Sequence, residues 1–267
     1  MKSFSVAALA VSLLLLTATS VALAKPVSLL KNGDFETGNF TGWNLAVQTN
    51  PNDTGHQNNF YISIPGANTP VNGFPTASNP NGDLFYAVSD DALPSTDVLY
   101  QSFTLPKHTL QLTLSFDLFV NDQSGLGPLY GDSAENVMDY TAGGSFADVQ
   151  YARVDLLSGG ANPFSTASGD VLKTFYKGVD GGSLPNAYTH YSFDLTSLLQ
   201  AGTLASGGTY QLRFGEANNL SPINMGVDNV EVTANVATPE AGSWAALAMA
   251  VGGLYATHRR RRRSNGK

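Results

Sequence analysis

The amino-acid sequence predicts an all-β protein, an antiparallel β-sandwich of the jelly-roll type, flanked by two terminal apolar segments. In several short segments apolar residues alternate with polar ones, which is the period of a strand with one buried face. Glycine-rich turns separate these segments, and no long apolar pattern of helical period occurs between the two ends. Many short strands joined by turns are typical of sandwiches and jelly rolls.

The longest alternation runs from Leu110 to Val120 and places an apolar residue at every second position. It predicts a central strand with one buried face. A short helical turn is predicted at 197–201. Further strands are predicted around 152–156, 191–195, 210–214 and 230–232, with weaker candidates at 84–88 and 99–105.

Three stretches rich in Gly, Asn, Pro, Asp and Ser interrupt the strands, at 48–81, 121–147 and 161–170. Loops of this length in a compact domain are often functional. A sugar site needs exposed aromatic faces, so a ligand would be sought first in these loops, although the pattern assigns no ligand-binding residue. Their aromatic candidates are Phe60, Tyr61, Phe74, Tyr130 and Tyr140.

The N-terminus has the three parts of a secretory signal peptide. Lys2 supplies a positive charge, Ala7 to Leu16 is an apolar stretch, and residues 22–24 read Ala-Leu-Ala, a signal peptidase cleavage box. We expect residues 1–24 to be removed on export.

The C-terminus consists of three blocks. A polar motif, Thr238-Pro239-Glu240, precedes an apolar run at 241–257. These 17 residues span about 25 Å as a helix, against a hydrocarbon core of about 30 Å. The run therefore predicts a single short transmembrane helix, with the basic block after it on the cytoplasmic side. That block is Arg259, Arg260, Arg261, Arg262 and Arg263.

In this order of blocks, residues 238–267 resemble the PEP-CTERM sorting signal of Gram-negative bacteria. The resemblance implies transient inner-membrane association, cleavage by an exosortase, and delivery to the cell surface or extracellular matrix of organisms that make exopolysaccharide. Ala241 stands where that family usually has proline. The alternative is a plain tail anchor with basic flanks. Either interpretation leaves residues 25–237 as the β domain.

This middle segment is strongly acidic. Residues 25–240 contain all 21 acidic residues of the chain but only seven lysines and arginines. This part of the chain therefore carries a net charge of −14. Such a surface argues against nucleic acid as a partner, and it suits an exported domain or one that takes up cations. The chain has no cysteine, which excludes disulfides, thiolate metal sites and cysteine catalysis.

Both ends of the predicted domain carry short motifs. The sequence Asn-Gly-Asp-Phe-Glu at 32–36 leads to Gly-Trp at 42–43, and Asp-Asn-Val stands at 228–230. These motifs resemble the first and last strands of carbohydrate-binding modules and other galactose-binding-like jelly rolls. The resemblance implies that the two strands come together, commonly around a structural calcium ion.

The residues themselves are consistent with such a site. In a strand, Asp34 and Glu36 would project to one face and Phe35 to the other. With Asp228 they could offer the oxygen ligands that calcium prefers. The alternative is that these acids simply face water. Phe35 and Trp43 are predicted to be core residues, with Trp43 as a sugar platform the less favoured alternative.

We therefore expect an exported surface protein whose single domain is a binding or structural module, associated with exopolysaccharide or a biofilm matrix. No H-E-x-x-H, G-x-S-x-G or phosphate-binding glycine loop occurs in the sequence, and catalysis is not expected. The alternatives are a polysaccharide-modifying enzyme and a purely structural matrix protein without a ligand.

Overall fold

The computed structural model describes residues 24–49, 59–78, 82–131, 137–141 and 148–237. Within these ranges no helix is long and apolar enough to cross a membrane. The sorting motif, the transmembrane helix, the arginine block and all but the last residue of the signal peptide lie outside the described residues. These four features remain predictions.

Strands dominate the described residues, as the sequence predicts. The only helix in this part of the chain is α1 (Thr196–Gln200), which confirms the predicted helical turn to within a residue. The strands are β1 (Ala24–Ser28), β2 (Asn44–Thr49), β3 (Asn59–Ser63), β4 (Tyr86–Asp90), β5 (Ser95–Thr104), β6 (Thr109–Asp122), β7 (Gln150–Ser158), β8 (Val171–Gly178), β9 (Thr189–Asp194), β10 (Thr209–Asn218) and β11 (Ile223–Ala237).

The strands form two sheets. Sheet A has the order β3-β4-β11-β6-β9, and β1 also pairs with β11; sheet B has the order β2-β5-β10-β7-β8. All the neighbours along these two orders are antiparallel. The inner faces of the two sheets share one hydrophobic core, which makes the fold a β-sandwich.

Strand β6 shows how the sequence pattern becomes a core. Its alternate residues from Leu112 to Val120 are buried against sheet B, as the period of two requires. Two details differ from the prediction. Leu110 is 50% exposed because it lies at the start of the strand, and the second half of β6 is buried on both faces, where Phe119 packs beneath Tyr86 and Val88.

Aromatic rings join the two sheets. Phe116 of β6 meets Phe214 of β10 edge to face, with ring centroids 5.4 Å apart. Trp43 lies 6.1 Å from Phe214 and 5.4 Å from Phe35. Phe35 and Trp43 are both buried, which confirms their prediction as core residues. Replacing such a ring by alanine typically costs about 3–5 kcal/mol.

Candidate functional site

Backbone hydrogen bonds join the two terminal segments of the domain. The backbone N–H of Leu29 donates to the carbonyl of Val232 at 2.8 Å, and that of Val230 donates to the carbonyl of Gly33 at 2.9 Å. A Cβ atom on Gly33 would lie 1.9 Å from the carbonyl oxygen of Val230. Glycine is therefore required at position 33, because only a bare backbone can come this close. The expected meeting of the first and last segments is confirmed.

The segment 32–36 is not a strand, and this prediction was wrong. Asn32 and Phe35 have φ values of 50° and 54°, in the left-handed region that strands exclude. The chain instead makes consecutive turns, fixed partly by the indole N–H of Trp43, which donates to the carbonyl of Asn32 at 2.9 Å. Phe35 still points into the core, while Asp34 is exposed and Glu36 is half-buried.

Glu36 holds the chain just before β4. Its Oε1 atom accepts hydrogen bonds from the backbone N–H groups of Leu84 and Phe85, at 2.8 and 2.9 Å. A carboxylate oxygen that accepts two amide hydrogens fixes the path of the loop. One Glu36 oxygen is thus already engaged in local structure.

Acidic residues gather on the outer face of sheet A. Asp117 of β6 lies directly opposite Asp228 of β11 in the strand register. A β-bulge follows Asp228, and Asn229 within it has φ 50°. The bulge directs the Asn229 amide between two carboxylates: its Nδ2 donates to Asp117 at 3.0 Å and to Asp83 at 3.1 Å.

Asp228 is fully buried in this acidic group. Burial raises its pKa to about 8, and the negative charges of Asp83, Asp117 and Glu36 contribute to the rise. Glu36 and Asp228 therefore lie in the same acidic group, together with Asp83 and Asp117. The sequence analysis did not single out the last two. Asp34 is displaced to the surface, where its Oδ1 accepts from the Glu36 N–H at 3.4 Å.

The carboxylate and amide oxygens of this group are of the kind that hard cations such as Ca2+ take as ligands. Within the described ranges, however, no group of three or more His, Asp or Glu side chains is already arranged to hold a metal ion. Calcium at Asp34, Glu36 and Asp228 therefore stays a prediction.

An open groove of about 520 Å³ lies beside the acidic group. His190 of β9 borders it, with Nδ1 2.7 Å from Asp117 Oδ1 and 64% of its side chain exposed. The groove follows the junction of the two terminal motifs across the outer face of sheet A. Its lining is Ser28, Leu30, Asn32, Gly33, Asp34, Ser115, Asp117, His190, Asn229, Val230 and Glu231.

Of the five aromatic candidates in the loops, two are buried, Tyr61 and Phe74 are half-buried, and one is exposed. Phe60 and Tyr140 are buried. Phe60 belongs to β3, a strand within the range 48–81 that was predicted to be a loop. Tyr130 is 44% exposed, and the Lys177 ammonium lies 4.1 Å from the centre of its ring. An exposed ring with a cation over it is a small surface feature outside the groove.

Comparison with known proteins gives structural likeness only. No protein-family model matches the chain, and no curated protein matches it. A solved structure of TmCBM61 in complex with β-1,4-galactotriose aligns with a TM-score of 0.43 at 11% identity, over 77% of this chain and 97% of that one. The Stig cyclase Fisc from Fischerella sp. TAU aligns with a TM-score of 0.44 at 18% identity, over 80% and 100%.

The K1 cleaved adhesin domain of Lys-gingipain from Porphyromonas gingivalis W83 aligns with a TM-score of 0.41 at 12% identity, over 80% of this chain and 99% of that one. At these scores and identities the likenesses carry no argument about what this chain binds or catalyses. Function has to be argued from its own residues.

Proposed function

We propose that this chain is an exported protein whose β-sandwich binds a neutral polysaccharide in the groove beside Asp117 and His190. The observation that supports the proposal is the groove itself, about 520 Å³ in volume and lined mainly by polar side chains. This volume is in the range of ligand pockets. Strands β6, β9 and β11 supply much of the lining, so the binding groups are held on a rigid sheet.

The lining groups suit hydroxyl-rich ligands. The exposed Asp34 carboxylate accepts hydrogen bonds from sugar hydroxyls, and the side-chain amide of Asn32 offers both a donor and an acceptor group. Asp117 and Asn229 bind each other and hold the floor of the groove in place. The ring of His190 borders the groove and is largely exposed. Charge-assisted hydrogen bonds of this kind are stronger than neutral ones, which favours a ligand with many O–H donors.

Charge further limits the ligand class. Asp34, Asp117 and Glu231 make the groove negative, with Asp83 and Glu36 close behind it. An anionic polysaccharide would meet like charges there, so a neutral glycan is the expected ligand. The same argument disfavours nucleic acid.

Binding is tested by glycan-array screening of the full chain, followed by calorimetry on the strongest neutral glycan. His190→Asn should weaken binding by about tenfold or more, since it removes the exposed ring and its contact with Asp117. His108→Asn is the matched control: His108 is exposed at φ 62°, a conformation that Asn tolerates well, and it lies outside the groove. Equal losses in both variants would refute the groove as the binding site.

Export and sorting form the second part of the proposal. Signal peptidase would release residues 1–24, and an exosortase would cut near Thr238-Pro239-Glu240 after the arginine block stops transfer. The sequence blocks support this route. Intact mass of the protein from cell surface and medium, with and without the exosortase, tests it. An uncut C-terminus in membranes would favour the plain tail anchor instead.

The proposed role is binding without turnover. Asp117 and Asp228, one beside a histidine and one with a pKa of about 8, offer the acid and base that a glycosidase needs. Asp228, however, is fully buried and has no surface to offer a ligand in the groove. Release of reducing ends by the wild type, lost in Asp117→Asn, would establish the enzyme. Absence of both binding and release would favour the structural matrix protein.

A further inference from the structure

His190 of β9 and Asp117 of β6 form a pair on the outer face of sheet A, at the wall of the groove. The two residues lie directly opposite each other in the strand register. Their neighbours Tyr191 and Phe116 point the other way, into the core, and stack with ring centroids 5.2 Å apart. The core contact therefore fixes the backbone that carries the exposed His190 ring.

The two carboxylate oxygens of Asp117 are both engaged. Oδ1 lies 2.7 Å from His190 Nδ1, and Oδ2 accepts a hydrogen bond from Asn229 Nδ2 at 3.0 Å. The same Asn229 nitrogen also donates to Asp83 at 3.1 Å, so the NH2 side of this amide is fixed toward the carboxylates. The side chain of Asp117 is only 4% exposed. The sheet therefore holds the carboxylate in one orientation.

This arrangement decides which ring nitrogen of His190 carries the hydrogen. A carboxylate accepts hydrogen bonds but has no hydrogen to donate, so the bond to Asp117 requires a hydrogen on Nδ1. In the neutral ring the other nitrogen, Nε2, is then bare and can only accept. Among the described residues only Asp117 hydrogen-bonds to this ring. Nε2 is left for a ligand in the groove.

We propose that Asp117 is a positioning residue that fixes the Nδ1–H tautomer of His190, so that Nε2 accepts a hydrogen bond from a hydroxyl group of the polysaccharide. The inference rests on the proposed function for its ligand, but the tautomer is a property of the free protein. A methyl ether in place of that hydroxyl has no hydrogen to donate. The pair therefore selects glycans with a free hydroxyl at this position over O-methylated ones.

The tautomer is measured by long-range proton–nitrogen NMR of the isotopically labelled full chain at about pH 8.5, where histidine rings are neutral. In the wild type the hydrogen of the His190 ring should reside on Nδ1. Asp117→Asn should move it to Nε2. The fixed Asn229 donor faces the oxygen of the new amide, which leaves the NH2 group of that amide toward His190 Nδ1 and makes Nδ1 the acceptor.

Asp194→Asn is the matched control, because Asp194 lies on the same strand as His190 but does not line the groove. Its Oδ1 accepts from the Thr196 N–H at 2.8 Å, a bond that asparagine can keep. This variant should leave the His190 tautomer unchanged. The exposed ring of His108 is an internal reference in the same spectra and should have the same tautomer in all three proteins.

Calorimetry then measures what the tautomer does for binding. The probes are the neutral glycan that ranks first on the array and a series of its singly O-methylated forms. One methylated form should bind the wild type about tenfold more weakly than the parent glycan, since it cannot donate to Nε2. The same form should bind Asp117→Asn about as well as the parent does, because a hydrogen on Nε2 can donate to an ether oxygen as well as to a hydroxyl.

The inference is overturned if the wild-type His190 ring carries its hydrogen on Nε2, a result that needs no variant to fold. It is also overturned if Asp117→Asn leaves the hydrogen on Nδ1, or if this variant discriminates against the methylated form as strongly as the wild type does. Failure of every glycan to bind the wild type would remove the proposed function and the ligand with it. The tautomer in the free protein would still decide the role of Asp117.

Discussion

Replacement of Asp155 by asparagine should destabilise the sandwich strongly, because this buried carboxylate compensates two arginines on the outer face of sheet B. Arg153 Nε and Nη2 lie 2.6 and 2.7 Å from its two oxygens, and Arg213 donates to Asp155 Oδ2 from both Nε and Nη2. Thr174 adds a hydrogen bond at 2.7 Å. Asp155 and Arg213 are fully buried.

The expected loss of unfolding free energy follows from the buried Arg213 charge that the variant leaves uncompensated. Asparagine keeps the shape of Asp155 but removes the carboxylate that pairs with Arg213, so a buried guanidinium loses its counter-charge. Breaking a buried ion pair from one side costs about 3–5 kcal/mol. For a domain of this size each kcal/mol lowers the Tm by about 2–4 °C, which predicts a loss near 10 °C.

The assay is urea and thermal unfolding followed by circular dichroism. Glu231→Gln is the control, since Glu231 is exposed and its Oε1 accepts a hydrogen bond from Thr233 that glutamine can keep. We expect little change in that variant. A loss below about 1 kcal/mol for Asp155→Asn would refute the reasoning, because it would mean that the arginines do not need the carboxylate.

The same network gives a pH dependence with a defined sign. Burial alone would raise the pKa of Asp155, but Arg213 and Arg153 outweigh it and hold the pKa below its ordinary value. A lowered folded-state pKa contributes stability that is present above about pH 4 and is lost as pH falls through the folded value. The wild type should therefore lose stability between pH 4 and pH 2 more steeply than Asp155→Asn does.

Three further predictions follow. Gly33→Ala should cost about 2–4 kcal/mol because its Cβ would overlap the Val230 carbonyl, whereas Gly169→Ala, which meets open space, should be near neutral in urea unfolding. Arg213→Met should increase amide hydrogen exchange at Phe164 and Ser165, since Arg213 Nη1 donates to the Pro163 and Ser165 carbonyls at 2.6 and 2.7 Å and holds this segment in place. If calcium binds near Asp228, Glu36→Gln should reduce the rise in Tm that Ca2+ produces in thermal unfolding. Glutamine keeps the acceptor oxygen for the Leu84 and Phe85 amides. Glu36→Ala would be ambiguous there, because it destabilises the loop with or without metal.

Much of the sheet structure could be predicted from the sequence because a period of two is visible without tertiary contacts. The alternation at 110–120 gave β6, and shorter alternations gave β7, β9 and β10. Strands β1, β2, β3 and β8 were missed. Strand β8 lies at the edge of sheet B with no fully buried residue before Gly178, so its pattern carries little hydrophobic signal.

The groove could be predicted only in part. The motifs at 32–36 and 228–230 correctly indicated that the two ends meet. Asp117 could not be singled out, because it occurs in the polar half of an ordinary alternation and becomes a site residue only through its register with Asp228 and its contact with His190. The turn at 32–36 was mistaken for a strand because nothing in the sequence indicates that Phe35 adopts the left-handed backbone conformation.

Two buried acids, Asp97 of β5 and Glu216 of β10, illustrate a different limit. They are separated by more than one hundred residues, and each looks like an ordinary polar residue near the end of a strand. They lie opposite each other only through the register of β5 with β10, which the local sequence pattern does not reveal.

The central claim, that the groove beside Asp117 and His190 binds neutral polysaccharide, is tested most directly by NMR of the histidine ring protons during titration with the glycan. Saturable shifts of His190 with little change at His108 are the predicted result, since His190 borders the groove and His108 is not part of its lining. Shifts of His108 as large as those of His190, or no shift of His190 with a glycan that binds, would contradict the account.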